Sequence, residues 1–198
     1  MSKDASREEK LIRAPGDLVS RLKEAANREG KTFYRYVTEI FEQAIRAYDM
    51  KRSLKDILDV YEILEVQKEA GAVFTPRDIL EYSVEKVSQE DDGTLQRLWY
   101  QTGKWYGVYL KEKSEYPVDA FTRLLQDGRW DLNEVTVKRN EETVEFRCVS
   151  LLASQERTVL VRNFIEGAMH SLGYGTQEQE CFRGIIRLRF IPIVFPQP

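Results

Sequence analysis

The chain offers few groups for covalent or acid–base chemistry. Its 198 residues contain one histidine, His170, and two cysteines, Cys148 and Cys181. A single histidine excludes any centre that needs two, and two cysteines cannot build a disulfide framework or a four-cysteine zinc site. No serine or cysteine in a recognisable nucleophile motif accompanies His170. No phosphate-binding glycine loop occurs, and Gly173-Tyr174-Gly175 reads as a turn from helix to strand. Neither catalysis nor a bound cofactor is expected, so binding is the chemistry left to consider. Trp99, Tyr100, Trp105, Tyr106 and Tyr109 place five large aromatics within eleven residues, more than one helix face buries in a simple core. Ligand pockets are lined mostly by apolar and aromatic groups with a few polar ones. Trp99, Trp105, Tyr106 and Tyr109 are therefore candidate ligand-binding residues; core and interface packing is the alternative reading of the same side chains.

The elements that must position these groups fall into two regions of different charge. Residues 1–52 carry 12 Lys and Arg against 9 Asp and Glu, and the remainder 18 against 24. A basic end on an acidic body points to two modules with different partners. The chain is 42% hydrophobic and 32% charged, enough to bury a core and stay in solution. No window approaches the ~20 apolar residues of a membrane helix, and the polar start MSKDASREEK has no signal-peptide core. A cytoplasmic protein without a membrane partner is expected.

The N-terminal region reads as a strand and two helices. Lys10 to Ala14 is short, extended and closed by Pro15, which suits the first position of a helix. Leu18, Leu22, Ala25 and Ala26 recur at helical spacing, and Gly30 is a helix stop. Thr32 is a candidate N-cap for a second helix with Phe33, Val37, Ile40, Phe41, Ala44, Ile45 and Tyr48 on one face. A lone strand has no ladder partner and some fifty residues bury little surface. Pairing with a second copy through the strand meets both needs.

From Glu9 to about Met50 this segment resembles the ribbon-helix-helix family of DNA-binding proteins. The carrying residues are the strand Lys10-Leu11-Ile12-Arg13-Ala14, then Pro15, the Leu18/Leu22/Ala26 face, the turn Arg28-Glu29-Gly30-Lys31-Thr32, and Ala44-Ile45-Arg46-Ala47-Tyr48. Strand side chains alternate, so with Lys10, Ile12 and Ala14 inward, Glu9, Leu11 and Arg13 face out. The resemblance implies a homodimer paired through the N-terminal strand, its ribbon in the major groove of double-stranded DNA with these residues reading bases. It also implies that the start of the second helix, near Lys31 and Thr32, holds phosphate. Lys3 and Arg7 in the leading tail add unspecific attraction.

Beyond it, Leu54, Ile57, Leu58, Tyr61, Leu64 and Lys68 mark a helix. It either continues the dimer as a short coiled coil or packs on the C-terminal domain. Ala70-Gly71-Ala72 breaks it, Thr75-Pro76 opens a helix to about Ser88, and Gln89 to Gly93 form a loop. Helices follow over Thr94 to Lys113 and Val118 to Leu125. Then Val135 and Val137, a turn at Asn140-Glu141-Glu142, and Val144, Phe146 and Cys148 alternate as a β-hairpin. Leu160, Phe164, Ala168 and Leu172 return to helical spacing over Glu156 to Leu172. A second strand pair spans Thr176–Phe182 and Ile185–Ile193, where Ile186, Leu188 and Phe190 alternate with Arg187 and Arg189, until Pro192 and Pro196 end it. The fold class is α+β: an N-terminal β-α-α unit over 1–52, a helical linker over 53–92, and an α+β domain with an antiparallel sheet over 93–198.

The stretch from about Thr94 to Ile193 resembles the 4-vinyl reductase domain family, related to haem nitric-oxide-binding domains and to subunits of vesicle-tethering transport particles. The resemblance rests on Gly103 and Gly107 in the long helix, Asp127-Gly128-Arg129-Trp130, and Phe164-Ile165-Glu166-Gly167. Glu178-Gln179-Glu180-Cys181-Phe182-Arg183-Gly184 with Leu188-Arg189-Phe190 completes it. It implies a domain that senses a small apolar ligand or a protein partner. Family members often hold zinc through cysteines around the last hairpin. Here only Cys181 falls on such a position and Leu188 stands where another is expected, so no structural zinc is expected. Together the two resemblances imply a dimeric transcription regulator. The alternative is an interaction scaffold that keeps the ribbon only to dimerise.

Overall fold

A computed structural model describes residues 10–90, 92–127, 130–140 and 142–193. The chain forms two compact units, divided between Asp59 and Val60.

The first unit contains α1 (Gly16–Arg28) and α2 (Phe33–Asp49). Pro15, expected as the first helical residue, instead caps α1 with an extended ψ of 137°. Thr32 caps α2 as its spacing implies: its hydroxyl accepts the Arg35 N–H at 3.3 Å. The strand expected at Lys10–Ala14 is not formed, and the described residues enter regular structure at α1. The physical reason is the need for a ladder: strand N–H and C=O groups pair with a second strand, and this unit supplies none among its described residues.

Helix α3 (Leu54–Glu69) leads into the second unit, which continues with α4 (Arg77–Ser88), α5 (Thr94–Lys113) and α6 (Pro117–Asp127). The hairpin β1 (Glu134–Arg139) and β2 (Val144–Val149) follows, then α7 (Gln155–Ser171), then β3 (Tyr174–Phe182) and β4 (Ile185–Pro192). The class is α+β, as the periodicity implies. Both hairpins join one antiparallel sheet of order β1-β2-β4-β3. The segment expected as a linker over 53–92 is divided, because from Val60 onward it belongs to the second unit. Glu81 on α4 ties it there, bonding Arg157 and the Ser154 N–H.

Alternation gives the sheet two unlike faces. Val144, Phe146, Cys148, Ile186, Leu188 and Phe190 form the buried face. Helix α6 covers β1, α7 covers β3 and β4, and α5 packs over α6 and α7. The outer face is polar, with Arg189 between Glu145 and Glu178 at 2.7 and 2.9 Å. The hairpin turn is held by Asn140, whose side-chain oxygen accepts the Glu142 and Thr143 N–H groups; Glu141 lies outside the described residues. Helices α5 and α7 meet backbone to backbone. A Cβ on Gly103 would stand 2.9 Å from the Phe164 carbonyl carbon and closer still to its oxygen. One on Gly167 would stand 3.0 Å from the Tyr100 carbonyl carbon and closer to its oxygen.

Candidate functional site

In the first unit the expected base readers are exposed. Leu11 is 93% exposed and Ile12 and Arg13 are open to solvent; Glu9, Lys3 and Arg7 lie outside the described residues. The two helices bury only Ala26 and Ala47 among the described residues, while Phe41, Ile45 and Tyr48 of α2 stay exposed. Lys31 is engaged by two carboxylates. Its ammonium donates to Glu29 and Glu39, both at 2.7 Å, and Arg35 also donates to Glu39 at 3.2 Å. The hydrogen bonds to Glu29 and then Glu39 hold the Lys31 amine above its ordinary range, and the Lys31 bond is the main cause that holds Glu39 below its own. The Thr32 hydroxyl is already the cap of α2.

In the second unit the four candidate aromatics do not converge. Tyr106 is core: burial pushes its phenol up to about 12, and its ring meets Phe164 edge-on at 5.2 Å. Trp105, 40% exposed, stacks on Tyr109 at 5.1 Å. Only Trp99 of the four lines the large cleft of this unit, edge-on to Trp130 at 6.3 Å. That cleft has a volume of about 1000 Å³ and lies among α3, the connector at Ala72–Thr75, the start of α4 and α7. This is the upper end of the range for small-molecule sites.

A charge cluster closes one side of the cleft. Arg157, on the first turn of α7 and 5% exposed, donates to Glu81 at 2.8 Å, to Asp131 at 3.1 Å and to the Trp130 carbonyl at 3.3 Å. Arg77 donates to Asp131 at 2.7 Å. The Arg77 bond holds the Asp131 carboxyl below the usual range. Burial pushes Glu81 up, but its bonds from Arg157 and Ser154 outweigh that and leave it lowered. Asp131 has φ 58°, a left-handed conformation that Asp tolerates better than most residues. None of these four was legible as a site residue. They lie up to 80 positions apart, and each is a common surface type. The one usable signal was Trp130, in a run whose Gly128 and Arg129 lie outside the described residues.

His170 is held on both sides. Tyr100 Oη lies 2.8 Å from Nδ1 and Thr176 Oγ1 lies 2.8 Å from Nε2, while the Thr176 hydroxyl donates to Glu166 at 3.0 Å. With its proton given to Glu166, Thr176 accepts from Nε2–H, so both ring nitrogens are engaged in hydrogen bonds. This leaves no ring nitrogen for a metal. Cys148 is buried, which pushes its thiol up to about 12, and burial also raises Cys181. Both cysteines sit opposite Ile186 from its two sides, two strand spacings apart, or roughly 10 Å. Zinc ligands at ~2.3 Å cannot span that gap, and no cluster of three or more metal-binding side chains occurs among the described residues. The donors do not fit zinc. The purified protein is expected to hold less than about a tenth of a zinc per chain and to keep its melting curve in a strong chelator. Stoichiometric zinc with chelator-induced unfolding would overturn this.

Among the described residues no helix is long and apolar enough to cross a membrane. No family model matches the chain, and no curated protein matches it. A solved structure described as "Probing the function of heme distortion in the H-NOX family" aligns with 73% of this chain and 93% of its own, with a TM-score of 0.36 and 19% identity. That likeness is slight and assigns neither fold nor ligand.

Proposed function

We propose that the protein is a homodimeric DNA-binding transcription regulator, a binding protein rather than an enzyme, whose second unit senses a small apolar ligand. The observation that carries the reading is the incompleteness of the first unit. Among the described residues Lys10–Ala14 has no ladder partner, and Phe41, Ile45 and Tyr48 are uncovered on one helix face. A second copy supplies both missing surfaces at once: its own Lys10–Ala14 pairs antiparallel, and its helices cover the apolar face. In the ribbon so formed Leu11 and Arg13 point outward. The chain runs from α2 through Arg52 and Ser53 into α3, and α3 supplies Tyr61 and Leu64 to the cleft wall. The proposed coupling of ligand to DNA binding runs through this covalent connection.

Arg13→Ala is expected to lose roughly 1–3 kcal/mol of specific DNA affinity per site and to relax discrimination at one base position. Fluorescence anisotropy on specific and random duplexes, across a salt series, measures both. Specific affinity unchanged by Arg13→Ala would remove the strand as the reader. One observation favours the scaffold reading instead: Lys31 is already committed to two carboxylates, which weakens phosphate binding at α2. A parent protein that dimerises but shows no preference over random duplex at low salt would establish that reading.

A further inference from the structure

The cleft wall of the second unit carries charge of both signs, and its two arginines are paired with carboxylates. Arg77 is bonded to Asp131 at 2.7 Å and Arg157 to Glu81 at 2.8 Å, while Lys68 has an exposed side chain 3.9 Å from Glu65. An ion entering beside the arginines must break one of these bonds or be buried without a partner, and both are unfavourable. The rest of the wall is apolar and strongly aromatic, with Tyr61, Phe74, Leu80, Trp99, Trp130 and Leu132. Val73 and Phe74 stand on the connector between α3 and α4, 83% and 74% exposed. Single exposed apolar residues are ordinary. Two adjacent ones that extend the wall of an apolar cleft leave surface that a bound molecule would cover.

We infer that this cleft binds a neutral, flat, apolar molecule, an aromatic or fused-ring compound, and that its internally paired charges exclude ions from it. The aromatic walls offer edge and face contacts to a planar ring system. The Arg77–Asp131–Arg157–Glu81 cluster fixes the wall without presenting an unmatched charge. The inference rests on the sensing role proposed above and names the class of molecule sensed.

The test uses the full chain with two dyes of similar ring content: Nile red, which is neutral, and 1-anilinonaphthalene-8-sulfonate, which is an anion. Nile red is expected to bind saturably at one per chain, with blue-shifted emission and quenching of tryptophan fluorescence, since Trp99 and Trp130 are two of the three tryptophans. The sulfonate should bind at least about tenfold more weakly, and Tyr61→Ala/Phe74→Ala should raise the Nile red Kd about tenfold. Both replaced side chains are exposed, so the melting curve of that variant should match the parent. The inference is overturned by absence of saturable Nile red binding, by an unchanged Kd in the double variant, or by equal affinity for the sulfonate. DNA affinity with and without saturating Nile red separates the two proposals. Cleft binding that leaves DNA affinity unchanged keeps this site and removes the sensing role. DNA binding by a protein that takes up no dye removes the site and keeps the DNA-binding role.

Discussion

Gly167→Ala is expected to lower the stability of the second unit by about 3 kcal/mol or more, at the upper end of the cost of overpacking. The sign is the informative part. In an exposed helix the same change gains about 1 kcal/mol of helix propensity. Here the new methyl meets the Tyr100 carbonyl of α5, and a backbone carbonyl cannot rotate away as a side chain can. The two helices must separate. Separation loosens the packing of Tyr106 against Phe164 and opens a gap along the buried face of α7. Gly103→Ala should behave alike, because its methyl meets the Phe164 carbonyl from the opposite side. Thermal or denaturant unfolding followed by circular dichroism measures the effect, expected as a fall in Tm of roughly 6 °C or more. A rise in Tm for either variant would mean that α5 and α7 do not cross this closely.

These glycines show what kind of information the sequence holds. Gly103, Gly107 and Gly167 could be singled out as features of a resemblance, but their reason is three-dimensional: each faces the backbone of the other helix. The helices and both hairpins were legible because burial on one face leaves a period of 3.6 or 2. Val144, Phe146 and Cys148, or Ile186, Leu188 and Phe190, are read at once as the inner face of a sheet. Lys10–Ala14 reads as a strand in the sequence but forms none, because no second strand is at hand among the described residues to complete its ladder. The aromatic cluster was legible as a cluster but not in its directions. One turn of α5 carries Tyr106 into the core, while the exposed Trp105 stacks on Tyr109, which is part-buried against the core edge. Helical neighbours diverge by about 100°, so nearness in sequence gave no convergence. The Arg157 cluster left no trace beyond Trp130, because charged residues are read as exposed by default and pairing across elements has no period.

Arg157→Met tests that cluster, and a loss of about 3–5 kcal/mol is expected at neutral pH. Met matches the length of the aliphatic stem and keeps the packing against α4, so the loss reports the missing guanidinium. Glu81 is then left part-buried without its strongest partner, and Trp130 loses a donor to its carbonyl. Asp131 keeps Arg77 and should tolerate the change better. Acid provides the control. In the parent, Glu81 and Asp131 have lowered pKa values. Their contribution is therefore present above the ordinary carboxylate range, about 4, and is lost as the pH falls through that range toward the folded values. In the variant an unpaired Glu81 is relieved by protonation over the same range. The gap between parent and variant should be widest near neutrality and close as the pH drops below about 4. Adding Glu81→Gln to Arg157→Met removes the stranded charge, yet its amide oxygen can still accept the Ser154 N–H. The double variant should regain part of the loss, and the difference from additivity measures the coupling of the pair. Equal losses at every pH, with no recovery in the double variant, would show that Arg157 acts through its packing alone and that the charges on the cleft wall are independent of one another.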